Sequence, residues 1–170
     1  MGIRLIGAVL IIAGCGGYGF MLAKNHRREV HGLRQLISSL EYMSSELEYK
    51  LTPLPVLCRS LEGMEAGCVN YLFGTLGRIL RSQVYPDVPN AMAAAIKETK
   101  GLPSLSANQL LALGKTLGRF DLSGQLRGIE ICRTECIHQL EDLEHNQSQR
   151  LRNYQTLSFC AGVALAILLI

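Results

Sequence analysis

Few residues of this chain have the types and spacing that could do chemistry. The densest run is Leu113-Gly114-Lys115-Thr116-Leu117-Gly118-Arg119-Phe120-Asp121. Gly-Lys-Thr invites a phosphate-cradling loop, in which the lysine reaches the phosphates and the hydroxyl meets the metal. That loop needs a glycine five positions before Gly114, and Gln109 stands there. It also needs a strand before it, whereas this run falls late in an amphipathic helical pattern. The nucleotide reading fails. Cys132 and Cys136, one helical turn apart, could begin a metal site. His138 falls well round the helix from them, and no second ligand pair follows. No CxxC pair occurs among Cys15, Cys58, Cys68, Cys132, Cys136 and Cys160, which read as small buried thiols in a reducing compartment. His26, His31, His138 and His145 lie near charged residues with no adjacent Ser or Cys nucleophile, and Glu141 with His145 reads as a solvated helix face. Neither an enzyme nor a cofactor is expected.

The glycine-rich run has a structural reading instead. Gly114 and Gly118 share a helix face, and each costs about 1 kcal/mol relative to alanine inside a helix. A close helix approach at Gly114 and a C-cap at Gly118 would offset that cost. Asp121, or else Ser123, then caps the next helix. Gly114, Lys115, Thr116, Leu117, Gly118, Arg119 and Asp121 thus form a corner between two helices, with Lys115 pointing away from its packed face. The functional version of the same reading makes this corner a docking surface for a partner.

The elements that must position this corner are helical. The sequence is 48% hydrophobic but only 6% aromatic, has no Trp, and its formal charge is +3. That modest, unclustered charge speaks against a nucleic-acid partner. Its mean hydropathy of +0.19 fits one polar domain joined to membrane segments. Leu5 to Ala23 is uncharged and long enough to span a bilayer. Arg4 precedes this run, while Lys24, Arg27 and Arg28 follow it, which places the residues after it in the cytoplasm. Residues 153–170 are again uncharged behind Arg150 and Arg152, and reach roughly 27 Å as a helix. The expected layout is residues 1–4 as an N-terminal cap, 5–23 as a transmembrane helix, 24–152 as a cytoplasmic bundle and 153–170 as a second span. A rival reading takes Ile12-Ala13-Gly14-Cys15 as a lipobox, and the product as an exported helical protein lipidated at Cys15. The apolar run on to Ala23 and the basic cluster behind it stand against that rival.

Within 24–152, Leu33, Leu36, Leu40, Met43 and Leu47 repeat at three and four, a heptad seam. Thr52 and Pro53 suggest an N-cap and first position of a second helix ending near Leu61. A third helix is expected over 68–81, with Leu72, Leu76, Ile79 and Leu80 inward. Residues 85–89 then read as a loop and 90–100 as an Ala-rich fourth helix. Ser106 is expected to cap a fifth, carrying Leu110, Leu111, Leu113 and Leu117 inward. The last helix carries Leu126, Ile129, Cys132, Cys136, Leu140 and Leu143 as its stripe, with no Gly or Pro from Ile129 to Ala161 to break it. No segment alternates long enough for a strand. The fold class is all-α: an antiparallel bundle of about six helices flanked by transmembrane helices, its domain folding without metal or nucleotide.

Several features together resemble one family, the stage III sporulation protein AB family. They are Leu5-Ile6-Gly7-Ala8, Tyr18-Gly19-Phe20, Ala23-Lys24, Leu33-Arg34-Gln35-Leu36, Tyr49-x-x-Thr52-Pro53-Leu54, Thr116-Leu117-Gly118-Arg119-x-Asp121 and the apolar tail. Lys115 departs from the pattern, standing where an acidic residue is expected. The resemblance implies likeness to the cytoplasmic domain of the inner-membrane platform protein of type II secretion and type IV pilus systems. It further implies residence in the mother-cell membrane facing the forespore, within a channel-like complex of other membrane components. A secretion-type ATPase is the implied cytosolic partner.

Overall fold

The computed structural model describes the backbone of residues 2–64, 67–118 and 121–169, and the side chains of residues 24–64, 67–118 and 121–145. Six helices follow one another: α1 (Gly2–Lys50), α2 (Leu54–Glu62), α3 (Cys68–Ser82), α4 (Val88–Glu98), α5 (Ser104–Thr116) and α6 (Leu122–Leu169). No strand occurs among the described residues. The chain divides into two units, Met1–Arg27 with Glu141–Ile170, and Arg28–Leu140. The expected spans, 5–23 and 153–170, lie outside the residues whose side chains are described. Among the described residues no helix is long and apolar enough to cross a membrane.

The unit Arg28–Leu140 is built on α1. Leu33, Leu36, Leu40 and Met43 are fully buried and Leu47 nearly so, which is what a heptad seam facing neighbouring helices requires. Leu57 and Leu61 of α2, Leu72, Phe73 and Leu76 of α3, Met92 of α4, Leu110 and Leu113 of α5, and Ile129 and Cys136 of α6 fill the same core. On α6, Ile129, Cys132 and Cys136 of the expected stripe are buried, and Leu126, Leu140 and Leu143 are half-buried. Three inward assignments on α3 and α5 fall short. Ile79 and Leu80 are half-buried near the C-terminal end of α3, and Val69 and Phe73 nearer its start are buried instead. Leu111 is 40% exposed, because α5 turns Leu110 and Leu113 inward and Leu111 lies about 100° round the helix from Leu110, away from Leu113.

Consecutive helices pair in antiparallel hairpins. A Cβ added at Gly77 of α3 would meet the Pro55 carbonyl at 3.1 Å and Cys58 at 3.2 Å on α2. Against α3, however, α1 runs in the same direction: Gln35 lies against Gly67, and Ser39 Oγ donates to Asn70 Oδ1 at 3.0 Å. On α6, Arg133 donates to Glu41 of α1 at 3.1 Å and also pairs with Glu130 one turn back.

Helix starts depart from the expected caps, each for a local reason. Pro53 occupies the N-cap of α2 and Pro55 its first turn, so Thr52 comes too early to reach a first-turn N–H. Its hydroxyl donates instead to Glu46 at 3.1 Å. Helix α4 begins at Val88, not Asn90, because Asp87 caps it by accepting from the Asn90 N–H at 2.9 Å, and Pro89 needs no N–H in a first turn. Helix α5 begins at Ser104, so Ser106 sits inside its first turn, fully buried, and caps nothing. The cap comes from α1: Glu29, nearly buried, accepts from Ser104 N at 2.9 Å, Ser104 Oγ at 2.8 Å and Leu105 N at 3.1 Å.

Candidate docking corner between the fifth and sixth helices

The corner run lies where α5 meets α6. Gly114 is buried, and an added Cβ would stand 3.0 Å from Met92 Cβ and 3.7 Å from Pro89 Cα, so α4 and α5 touch there. The Leu117 N–H donates to the Leu113 carbonyl at 3.1 Å, ending α5, and Leu117 itself is fully buried. Gly118 follows with φ +74°, a left-handed turn that glycine enters without cost. Any side chain there would also press Val88 Cγ2 at 2.7 Å. Thr116 donates to the Leu113 carbonyl at 2.8 Å, and its Cβ would lie 2.8 Å from one added at Gly128, which brings α6 against α5.

Asp121 completes the turn. Its Oδ1 accepts from the Gly124 N–H at 3.1 Å and its Oδ2 from Ser123 Oγ at 2.7 Å. It therefore caps α6, and Ser123 serves the cap without being it. The Ser123 hydroxyl, and then the Gly124 N–H, hold the Asp121 carboxyl below the usual aspartate range. Lys115 is exposed, as expected. Arg119 lies outside the described residues. The structure thus brings Gly114, Thr116, Leu117, Gly118 and Asp121 into one packed and capped turn, and leaves Lys115 as its outward charge.

The packing makes three variants informative. Gly114→Leu is expected to destabilise by about 1–3 kcal/mol through overpacking against Met92, although leucine is the better helix former. Asp121→Ala should lower the melting temperature by a few degrees as a lost N-cap. The Asp121 pKa is depressed in the folded chain, so its contribution is present above the ordinary aspartate pKa and fades as pH falls through the folded value. The melting gap between Asp121→Ala and the parent should accordingly close in acid. Lys115→Glu should melt like the parent. A Gly114→Leu protein that melts higher than the parent would refute the close approach.

Nothing else among the described residues assembles a reaction centre. No three His, Cys, Asp or Glu side chains come close enough to hold a metal ion. Burial pushes the Cys58 thiol up to about 12. The Cys132 thiol, and then burial, push Cys136 well up too. Cys58 and Cys136, held protonated, are poor nucleophiles and poor ligands, and the hydrogen bond with Cys136 draws the Cys132 thiol down. The depression lined by Ile79, Ser82, Val84, Tyr85, Ala94, Lys97 and Glu98 is wide open to solvent, unlike an enclosed small-molecule site.

Two features escaped the sequence. Glu29 carries no signal of its role, because its partners are 75 residues away. Leu51 enters a left-handed turn with φ 52° and is 65% exposed; the only trace is a non-glycine residue just past the end of a long helix.

Comparison with known proteins meets the chain at this point. A family model described as stage III sporulation protein AB matches residues 4–170. A Bacillus subtilis (strain 168) protein named Stage III sporulation protein AB is 27% identical over 170 residues, covering 98% of this chain and 99% of its own. A solved structure titled Stage III sporulation protein AB (SpoIIIAB) superposes with a TM-score of 0.64 at 23% identity, covering 72% of this chain and 98% of that one. At that identity the superposition speaks for the fold.

Proposed function

The chain belongs to the stage III sporulation protein AB family, and from that premise we propose that it is a membrane-anchored, non-enzymatic platform of a sporulation complex. Its role lies in sporulation. The spans 5–23 and 153–170 hold both ends in the mother-cell membrane facing the forespore, and the bundle lies in the cytoplasm. There it docks a secretion-type ATPase and couples it to the other membrane components of a channel-like complex. The mechanism is positional: helix faces bind, and the spans anchor.

One observation carries this reading. The first and last helices of the bundle are each unbroken and lead directly into the two uncharged stretches, at Gly2–Lys50 and Leu122–Leu169. Lys24, Arg27 and Arg28, with Arg150 and Arg152, stand on the bundle side of both stretches, which is the cytoplasmic side for basic residues.

A topology reporter tests it. The connection between α3 and α4, Gln83 to Asp87, is exposed throughout, the kind of site at which insertions are tolerated. A reporter inserted between Tyr85 and Pro86 is expected to be active only in the form that works inside the cell. Activity of an export-type reporter there, together with lipid labelling at Cys15, would instead establish the exported lipoprotein.

A further inference from the structure

The turn between α1 and α2 presents apolar side chains in a conformation that costs the chain stability. Leu51 has φ 52°, a left-handed backbone that leucine rarely adopts, yet its side chain is 65% exposed. Exposed with it are Tyr49 at 79% and Val56 at 50%. The turn is clamped rather than loose. Glu46 accepts from Lys50 Nζ at 2.7 Å and from Thr52 Oγ1 at 3.1 Å, and these two bonds straddle Leu51. Gln83 takes the same left-handed turn just past α3, with φ 53°, so the turn itself ends a helix; what sets Leu51 apart is a large apolar side chain held out in solvent there.

Charge around the turn names the kind of partner. Gly77 of α3 packs on Pro55 and Arg59 of α2. Arg81, one helical turn beyond Gly77 in an antiparallel pair, therefore stands over the start of α2, beside Leu51. Arg59 and Arg81 are both exposed, and among the described residues neither has an ion-pair partner. Arg78 is already paired with Glu98, and Lys50 with Glu46. Against the two arginines stands Glu48 alone, so the rim of this apolar patch is positive. An apolar centre with a positive rim complements an acidic protein face with apolar residues at its middle.

We infer that Tyr49, Leu51, Val56, Arg59 and Arg81 form the docking surface for an acidic protein partner, which, resting on the platform reading above, is the motor ATPase. This separates docking from the glycine corner, whose residues are spent on packing and capping. The platform then meets its motor at the turn between α1 and α2.

The test uses the full chain in nanodiscs and the purified ATPase, with affinity measured at low and high salt and melting recorded on the same samples. The double variant Arg59→Glu, Arg81→Glu should weaken binding at least about tenfold and flatten its salt dependence. Leu51→Gly is the sharper variant. It relieves the left-handed strain, so melting should hold or rise, while binding falls several-fold because the apolar contact is gone. Lys115→Glu should bind like the parent. Parent-like binding by both tip variants, with the parent itself binding, would overturn the surface and leave the platform reading intact. Failure of the parent to bind would sink the motor reading and this inference with it. Self-association of the parent that the same variants abolish would assign the patch to a second copy of the chain and overturn the proposal.

Discussion

Glu29→Ala is expected to destabilise the bundle by about 2–4 kcal/mol, because one nearly buried carboxylate satisfies three donors at the start of α5. Two of these donors are first-turn N–H groups with no intrahelical partner. Removing the carboxylate leaves them desolvated beside Pro103 with only the Ser104 hydroxyl at hand. The loss exceeds that of an exposed cap, since the bonds are charge-assisted and shielded from water. Against a total stability of about 5–15 kcal/mol, this is a large share. Glu29→Gln should fall between the parent and alanine: its carbonyl can still accept, but its amide group faces donors. Glu48→Ala, an exposed carboxylate on the same helix, should change stability by less than about 0.5 kcal/mol. Denaturant melts of the full chain in detergent measure all three. If Glu29→Ala melts with Glu48→Ala, the α1–α5 cap contributes nothing and its geometry is incidental.

Gly32→Leu is expected to cost about 3 kcal/mol or more, the second large effect, and it acts at the same joint. A Cβ at Gly32 would lie 2.6 Å from Pro103 Cγ and 2.8 Å from Ser106 Oγ. The proline ring cannot rotate away, and Ser106 is fully buried, so α1 and α5 must separate to admit a side chain. Helix propensity works in the opposite direction by about 1 kcal/mol per glycine replaced. Gly32→Ala should therefore still destabilise, by less than leucine does. Gly63 supplies the control. Its added Cβ would meet only the Ser60 carbonyl, at 3.8 Å, and its φ of −86° suits any residue. Gly63→Ala should melt at or slightly above the parent. An alanine at position 32 that also melts at or above the parent would show that the joint has room the packing denies.

What could be read from residues alone was whatever depends on neighbours within two or three helical turns. The spacing of Leu33, Leu36, Leu40, Met43 and Leu47 determined the buried face of α1, since a helix repeats every 3.6 residues wherever it sits. The gap without Gly or Pro after Ile129 determined one long α6. Gly118 and Asp121 determined the corner, because a left-handed glycine and an aspartate cap are local devices. Local reading misplaced two prolines, Pro89 read as loop and Pro53 read as the first position of α2. Pro89 belongs inside α4 and Pro53 before α2, and the Asp87 side chain, not the proline, decided where α4 begins. Tertiary structure alone decided which helix meets which. Glu29 reaches α5 across 75 residues, Gly32 is a contact and not merely a weak helix former, and α1 lies along α3 in the same direction. The exposure of Leu51 at a strained turn belongs with these. No period marks it, because a clamp from Glu46 sets the backbone and the arrangement of α1, α2 and α3 leaves the side chain outside.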